Sequence, residues 1–195
     1  MAETALTTEQ ILEAAEDVLR RFGPAKATVV DVARALGVSH GTVYRHFPSK
    51  AALRGAVTQR WLDRAHNALP AVATGSQSPE LRLRLWLRTL FEAKKNKALD
   101  DPELFATYTV LVDESSALID EHLRVLEAQL AVIIAEGQDE GLFRPEGDPR
   151  TLAHSVFQAT AHYHDPVYAP TWSTPTADQD FDALVDLLLL GLSAR

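Results

Sequence analysis

Apolar residues recur at intervals of three and four residues along almost the whole chain of 195 residues. This spacing places them on one face of an α-helix, whereas a half-buried strand would show apolar and polar residues in alternation. The sequence contains no such alternating run, and Pro and Gly lie between the periodic segments. The pattern therefore predicts an all-α fold of about nine helices.

Capping residues and helix breakers predict where these helices begin and end. Thr28, Ser39 and Ser49 can accept hydrogen bonds from the N–H groups of a helix start, and Gly37 suits the left-handed conformation of a helix end. Asp-Pro and Ser-Pro pairs open later helices, because Pro is tolerated in a first turn. The first four expected helices cover 7–22, 29–36, 39–47 and 50–69. Four more helices are expected to begin at residues 79, 102, 119 and 149, and the last helix is expected at 177–193. Loops are expected at 70–78 and 166–176.

The two short helices at 29–36 and 39–47, joined at Gly37, have the layout of a helix-turn-helix. In that motif the second helix enters a major groove about 12 Å wide, and the first helix braces it through a small apolar core. The candidates for this core are Val32, Ala33, Leu36, Val38, Val43 and Phe47. The candidates for the outward, DNA-facing side are Ser39, His40, Gly41, Thr42, Tyr44, Arg45 and His46.

The distribution of charge favours a nucleic-acid partner at one end of the chain, although the formal net charge is −8. Residues 20–64 contain nine Lys and Arg but only two Asp, whereas residues 68–195 contain ten basic and twenty acidic residues. A basic segment on an acidic remainder suits a polyanion at the basic end only. A solvated basic face explains the same charges equally well, so the charge leaves both interpretations open.

The stretch 28–50, TVVDVARALGVSHGTVYRHFPSK, resembles the N-terminal signature of the tetracycline-repressor (TetR) family. The resemblance covers residues 9–60 and rests on the spacing of Ser39, Gly41, Thr42, Tyr44, His46, Phe47 and Lys50. It implies a homodimer in which an N-terminal three-helix helix-turn-helix domain stands on a larger C-terminal helical bundle. The expected division is a DNA-binding domain at 1–50, a connecting helix at 51–69, and an effector-binding and dimerisation domain at 70–195.

The resemblance implies roles for the matching positions. Thr42 and His40 are expected to contact bases, and Gly41 to let the helix backbone approach the groove closely. The expected phosphate contacts are Thr28, Ser39, Tyr44, His46 and Lys50. Thr28 and Ser39 can equally serve only as helix caps. Arg45 is either a phosphate contact or a solvated side chain.

The resemblance implies that the last two helices form the dimer interface, as a four-helix bundle with those of the partner, and the last helix is indeed apolar on two sides. Its two stripes consist of Phe181, Leu184 and Leu188, and of Val185, Leu189 and Leu192. A helix that is apolar on more than one side must bury more than one side, so one stripe should face its own domain and the other a twofold partner. Burial of both stripes within the monomer is the alternative.

The expected effector-binding domain contains more aromatic residues than a small helical bundle needs. Several of them are expected to line a pocket for a small, largely apolar effector, with Tyr, His and Gln side chains as polar anchors. The candidates are Trp86, Phe91, Phe105, Tyr108, Phe157, Gln158, His162 and Tyr163. Each of them can instead be part of the core, because aromatic residues at helical spacing are common there.

Other classes of function fit less well. The chain has no Cys, no phosphate-binding Gly-rich loop and no recognisable catalytic dyad, so we expect neither enzymatic activity nor a cofactor. On a helix, His162 and His164 point about 200° apart, which argues against a metal site. The N-terminus lacks the features of a signal peptide and no apolar run is long enough to span a bilayer. We therefore expect a cytoplasmic protein without a membrane partner.

The sequence thus predicts a sequence-specific transcriptional regulator, and specifically a repressor that a small effector releases from a near-palindromic double-stranded DNA operator. The alternative is a DNA-binding protein of the same fold that acts on chromosome organisation or cell division. A tightly packed body without a cavity would favour that alternative.

Overall fold

The computed structural model describes residues 6–113 and 116–194. All repeating secondary structure in this part of the chain is helical, and Phe143 and Ser193 form an isolated β-bridge. The α-helices are α1 (Thr8–Lys26), α2 (Val29–Ala35), α3 (His40–His46), α4 (Lys50–His66), α5 (Leu69–Ala73), α6 (Pro79–Asp100), α7 (Pro102–Asp113), α8 (Ser116–Asp139), α9 (Pro149–Ala159) and α10 (Ala177–Leu192). Two 3₁₀ helices, Ala161–Tyr163 and Pro166–Thr171, lie between α9 and α10. The predicted all-α fold is confirmed.

The helices form two compact units. The first comprises the described residues of Met1–Arg64 and Asp101–Ile119, so it contains α1, α2, α3, most of α4, and α7. The second comprises the described residues of Ala65–Asp100 and Asp120–Arg195. The chain passes from the first unit to the second inside α4, because that helix continues through residues 64 and 65. The predicted domain boundaries at 50 and 70 stay predictions.

Within the first unit, a kink interrupts α1 at Gly23, whose φ of 71° and ψ of 165° are not helical. Glycine adopts a positive φ readily, because it has no Cβ to clash with the backbone. One further turn follows from Pro24, and the Ala27 N–H then donates to the Gly23 carbonyl oxygen at 3.0 Å. The first helix, predicted to end at residue 22, therefore continues after this kink through residues 24–26.

In the second unit, residues 69–73 form α5, although Pro70 in the sequence predicts a loop over 70–78. Pro70 lies in the first turn of the helix, where its missing N–H costs no hydrogen bond. Leu69 and Ala73 are four residues apart and are 1% and 2% exposed, so one face of this short helix is buried. The loop prediction is wrong here because a proline can begin a helix as well as prevent one. With α5, the described residues contain ten α-helices instead of about nine.

Candidate nucleic-acid interface

The turn between α2 and α3 is a Schellman motif centred on Gly37, which has a φ of 68°. The Val38 N–H donates to the Ala33 carbonyl oxygen at 3.0 Å, and the Gly37 N–H donates to the Arg34 carbonyl oxygen at 3.2 Å. These two bonds satisfy carbonyl groups at the end of α2 and define the motif. The turn leaves only residues 36–39 between the helices, so the helix-turn-helix predicted for 29–47 is confirmed.

One side of α3 lies in the core of the first unit and the other side is exposed. Val43 is 0% exposed, and Phe47, directly after the helix, is 8% exposed. The Ser39 Oγ accepts the N–H of Thr42 at 3.2 Å and so caps the start of the helix. Of the residues predicted to face DNA, Thr42 is half-buried, and those exposed are Thr28, Ser39, His40, Gly41, Tyr44, Arg45, His46 and Lys50.

Thr28 begins α2 with a complete capping box. Its Oγ1 accepts the Asp31 N–H at 3.2 Å, while the Asp31 carboxylate accepts the Thr28 N–H at 3.2 Å and the Thr28 hydroxyl at 2.6 Å. These hydrogen bonds from Thr28 hold the pKa of the Asp31 carboxyl below its usual value. Thr28 and Ser39 are therefore helix caps, and their predicted contacts with phosphates stay predictions.

Three aromatic side chains of α3 also contact other side chains of the protein. His46 Nδ1 lies 3.3 Å from the hydroxyl oxygen of Thr8 in α1. The rings of Tyr44 and His40 meet edge to face, with their centroids 6.3 Å apart. Tyr44 is 42% exposed, so its side chain is not part of the core. These contacts hold the exposed side of α3 in a defined shape.

Several basic residues of the first unit form ion pairs with carboxylates of α1. Arg60 is 8% exposed, and its Nη2 lies 2.6 Å from a Glu9 carboxylate oxygen and 3.2 Å from one of Glu13. Arg64 Nη1 lies 3.0 Å from Glu16 Oε2. Burial raises the pKa of the Glu16 carboxyl, and the charge of Arg60 acts in the opposite direction. The excess of basic residues in the sequence therefore overstates the charge that is available to a polyanion.

The structure divides the predicted effector-binding residues between the two units. Phe105 and Tyr108 belong to α7 in the first unit, and both are buried. The Tyr108 ring stacks on Trp61 of α4 with a centroid separation of 4.4 Å, and the centroid of Phe105 lies 6.4 Å from that of Trp61. Burial raises the pKa of the Tyr108 phenol. Within their unit these two residues hold α7 against α4.

In the second unit, Phe91 is the centre of an aromatic cluster. Its ring centroid lies 5.0 Å from that of Phe181, 5.2 Å from that of Tyr163 and 6.4 Å from that of Trp172. All four side chains are buried. The predicted effector residues Phe91 and Tyr163 are thus brought together, and they contact Phe181, which the sequence predicts for the dimer interface.

The other predicted effector residues of the second unit lie at different depths. Trp86 is 0% exposed, and its Nε1 donates to a glutamine side chain of α8 at 2.8 Å. Phe157 is buried, and its ring stacks on His164 with a centroid separation of 4.2 Å. Gln158 and His162 are exposed. No group of three or more potential metal-ligating side chains occurs among the described residues.

α10 has one buried and one exposed apolar face. The buried face consists of Phe181, Val185, Leu189 and Leu192. Leu184 and Leu188 are half-buried, while Leu187 and Leu190 are 65% and 76% exposed. Phe181 therefore belongs to the buried face, although the sequence places it in one stripe with Leu184 and Leu188. The two predicted stripes also omit Leu187 and Leu190, which are the most exposed leucines of α10. The i, i+3, i+4 spacing of Leu184, Leu187 and Leu188 is a signal that identifies this face.

Two models of protein families match the chain. The N-terminal model, described as bacterial regulatory proteins of the tetR family, matches residues 11–57, which include the helix-turn-helix. The second, described as a tetracyclin repressor-like C-terminal domain, matches residues 79–185, more than half of the chain. The two matches together reach into both units.

Curated proteins with similar sequences are described as transcriptional regulators. An uncharacterised HTH-type transcriptional regulator of Mycobacterium tuberculosis is 31% identical over 106 residues, which are 54% of this chain and 50% of that protein. The chain thus spans about half the length of this relative. The regulator RutR of Escherichia coli is 29% identical over 164 residues, which are 82% of this chain and 74% of RutR.

Among solved structures, SmeT is the repressor of a multidrug efflux pump of Stenotrophomonas maltophilia. It superposes with a TM-score of 0.71 at 19% identity, over 96% of this chain and 91% of SmeT, which shows a shared fold.

No helix in the described part of the chain is long and apolar enough to cross a membrane. The family that these matches define consists of transcriptional regulators and is not a family of enzymes. With a family model matching more than half of its length, the chain belongs to the tetR family of bacterial regulatory proteins.

Proposed function

We propose that the chain is a sequence-specific DNA-binding transcriptional regulator that acts as a repressor. The observation that carries this proposal is the arrangement of α3, in which Val43 and Phe47 hold one side in the core while the opposite side is exposed. A short exposed helix behind a tight turn is the shape that a major groove accepts. Membership of the tetR family supports the same function.

In this proposal the exposed side of α3 reads bases, and the residues around it bind the DNA backbone. Thr42 and His40 contact base edges, and Gly41 allows close approach. Arg45 and Lys50 contact phosphates, because both are exposed and positively charged. The first turn of α4 adds N–H groups at the positive end of a helix of 17 residues, whose start Ser49 caps through the Ala52 N–H at 3.0 Å.

Recognition of a palindromic operator requires two copies of α3 about 34 Å apart, one for each of two successive major grooves. We therefore infer that the protein acts as a homodimer. The exposed face of α10 supports this inference, because Leu187 and Leu190 present large apolar side chains that a partner would cover.

A small effector bound by the second unit would control DNA binding by preferring one of two conformations of the protein. We propose that such a ligand binds among the rings of the aromatic cluster around Phe91, which pack against one another in the structure and would have to move apart to admit it. Because the proposed partner is DNA and the family is one of bacterial regulatory proteins, the proposed place of action is the cytoplasm.

Selection of bound duplexes from a random pool at low salt tests the DNA-binding proposal. We expect enrichment of a near-palindromic sequence. Thr42→Ala should reduce discrimination at one base pair of each half-site by roughly 1–3 kcal/mol. The control is Thr176→Ala, since Thr176 is exposed and its side chain makes no capping hydrogen bond to α10. If the purified protein retains no duplex at low salt, the proposed function is wrong.

A further inference from the structure

A groove on the surface of the first unit lies between α1 and α2 and has a volume of about 320 Å³. α1 contributes Asp17, Arg21 and Phe22 to its walls, and α2 contributes Asp31, Arg34 and Ala35. None of the side chains that are proposed to contact DNA lines this groove. It is therefore a second surface feature of the unit that carries the recognition helix, and DNA binding does not account for it.

One wall of the groove exposes an aromatic ring. Phe22 follows the buried Val18 by four residues and so continues the apolar face of α1, yet it is 43% exposed. The Arg21 guanidinium carbon lies 5.3 Å from the centroid of the Phe22 ring. On α2, Val30 is 51% exposed and precedes Arg34 by one helical turn. A single exposed apolar residue is common, but two beside one groove form apolar surface that a partner can cover.

The groove carries two carboxylates and two guanidinium groups, so its charges balance. Asp17 Oδ1 lies 2.8 Å from Arg20 Nη1, and Asp31 Oδ1 lies 2.8 Å from Arg34 Nη1. The side chains of Asp17 and Arg34 remain largely exposed in these pairs. Arg21 is exposed, and no carboxylate of the described residues forms an ion pair with it. Ion pairs that face solvent are weak, so these side chains can exchange partners at little cost.

The arrangement of charge determines which kind of partner the groove fits. A nucleic acid would meet the carboxylates of Asp17 and Asp31 as well as the arginines, and its phosphates would be repelled by them. A second copy of the same groove, in contrast, offers a carboxylate to each arginine and an arginine to each carboxylate. Such a contact is isologous, which means that the same surface of both chains meets across a twofold axis. Charge complementarity therefore favours a second copy of this chain.

We propose that this groove binds the same groove of a second chain, and that the contact joins dimers on neighbouring operators of one DNA molecule. Asp17 and Arg21 lie four residues apart on the same face of α1. A twofold axis between them makes the two α1 helices antiparallel, with Arg21 opposite the partner's Asp17 and Asp17 opposite the partner's Arg21. Phe22 then packs against the apolar part of the second groove. The inference rests on the proposed function, in which the chain is a dimer that binds an operator.

The size of the groove predicts that DNA is needed for the contact to form. A stable interface in solution contains roughly 20–30 residues on each side, and the walls of this groove offer far fewer. Two dimers on one duplex are held at a high effective concentration, at which a weak contact is populated. The groove belongs to the same unit as α3, so dimers at a suitable spacing bring their grooves near one another. We therefore expect cooperative binding to DNA without a stable tetramer in dilute solution.

Titrations of duplexes with one or two copies of the selected operator test the proposal. The spacing between the two copies is increased by one base pair at a time over one helical turn, about 10 base pairs. At one spacing we expect the second dimer to bind roughly tenfold more tightly than a dimer on the single operator, equivalent to about 1.4 kcal/mol. Half a turn away the gain should vanish, because the two dimers then lie on opposite sides of the duplex.

Exchange of the two charges on α1 identifies the contact. Asp17→Arg and Arg21→Asp should each abolish the gain in affinity, because like charges then face each other across the twofold axis. The chain with both substitutions should regain it, since each arginine again faces a carboxylate. The control is Lys26→Asp, which makes the same change of charge as Arg21→Asp on an exposed residue of α1 outside the groove. It should keep the gain between neighbouring sites even where it weakens binding to both duplexes.

Three results would contradict the proposal. The first is equal affinity for the first and second operator at every spacing, which would show that a second copy does not occupy the groove. The second is a gain that survives Asp17→Arg and Arg21→Asp, which would place the contact elsewhere. The third is a gain that the double exchange does not restore, which would show that these two residues do not face each other. Melting of each variant checks that it is folded, as we expect because residues 17, 21 and 26 are exposed.

Failure of the proposed function gives a different result. A chain that does not bind the single operator is not the proposed regulator, and cross-linking without DNA then tests the groove contact. The sequence contains no Cys, so Asp17→Cys and Arg21→Cys each introduce a single thiol group. When the two variants are mixed at high concentration and oxidised with diamide, disulfide-linked dimers should form faster than in either variant alone. Equal rates would rule out the groove contact, whereas normal binding to the single operator would leave the proposed function intact.

Discussion

Gly41 is the residue of α3 whose identity the fold of the chain does not explain. It is exposed, and among the described atoms a Cβ built on it would meet the Ser39 Oγ alone, at 3.7 Å. Glycine inside a helix is less favourable than alanine by about 0.5–1 kcal/mol. A residue that costs stability in the unbound chain and occupies no tight space suggests a requirement imposed by a ligand, here the close approach of α3 to DNA.

Gly41→Ala should therefore separate stability from DNA binding. We expect the free energy of unfolding to rise by about 0.5–1 kcal/mol, and affinity for the operator to fall by roughly tenfold or more, equivalent to about 1.4 kcal/mol. Urea denaturation and a gel-shift titration measure the two quantities. The control is Gly55→Ala in α4, where no described atom lies within 4 Å of the added methyl group. Unchanged DNA affinity in Gly41→Ala would show that α3 does not approach DNA as proposed.

Lys50 allows a second test at the residue scale, because it is exposed at the start of α4. If it binds one phosphate per subunit, Lys50→Ala should weaken binding to all duplexes alike and reduce the slope of log K against log salt by about 0.9 for each phosphate that is no longer neutralised. Titrations at several salt concentrations measure that slope. Lys97→Ala removes the same charge from α6 in the second unit and should leave the slope unchanged.

At the scale of elements, the sequence predicts the helices that local chemistry determines. Thr28 and Ser39 cap helices through side-chain oxygen atoms, and Gly37 ends α2 with a positive φ. In each case the residue that predicts the helix end lies within a few residues of that end. Pro70 misleads the prediction because a proline is compatible with both a loop and a first turn. The burial of Leu69 and Ala73 decides between them, and burial depends on packing that is distant in sequence.

The candidate sites are harder to predict for the same reason. Tyr108 and Phe91 both lie at helical spacing from other apolar residues, yet they pack in different units. His66 and Lys94 resemble surface residues of their helices when only neighbours in sequence are considered. Their burial depends on contacts with residues that are distant in sequence, such as the contact of His66 with His122, and no local pattern records such contacts.

The end of α8 gives a prediction about how an element is held. A Cβ built on Gly137 would clash with a ring carbon of Phe143, which is 1% exposed. The segment after α8 is also fixed to the end of α10, because the Arg144 N–H donates to the Leu192 carbonyl oxygen at 2.8 Å. Gly137 therefore permits a close contact between α8 and the Phe143 ring that no larger residue allows.

Gly137→Ala should lower the free energy of unfolding by about 1–3 kcal/mol, since the Phe143 ring must move out of its place in the core. The intrinsic helix propensity of alanine acts in the opposite direction by up to about 1 kcal/mol. Urea denaturation measures the net change, and Gly55→Ala, which gains propensity without a clash, is again the control. A Gly137→Ala chain as stable as that control would contradict the close packing.

At the scale of the whole molecule, the proposed function depends on two copies of the chain acting together. A single α3 offers few base contacts, and occupancy of the second half-site by a tethered copy raises affinity by roughly two to four orders of magnitude. The exposed face of α10 is the surface that we propose for this association. Leu187 and Leu190 are the most exposed large apolar residues of this helix.

The double substitution Leu187→Glu and Leu190→Glu should give a folded monomer, because two carboxylates cannot be buried against their own copies without large desolvation. Sedimentation equilibrium measures the association, and a gel shift should show affinity for the full operator reduced by roughly two orders of magnitude or more. Leu99→Glu is the control, since Leu99 is 52% exposed in α6 and lies outside the proposed interface. A double variant that remains dimeric would place the interface elsewhere, whereas a monomer with undiminished operator affinity would show that the two reading helices act independently.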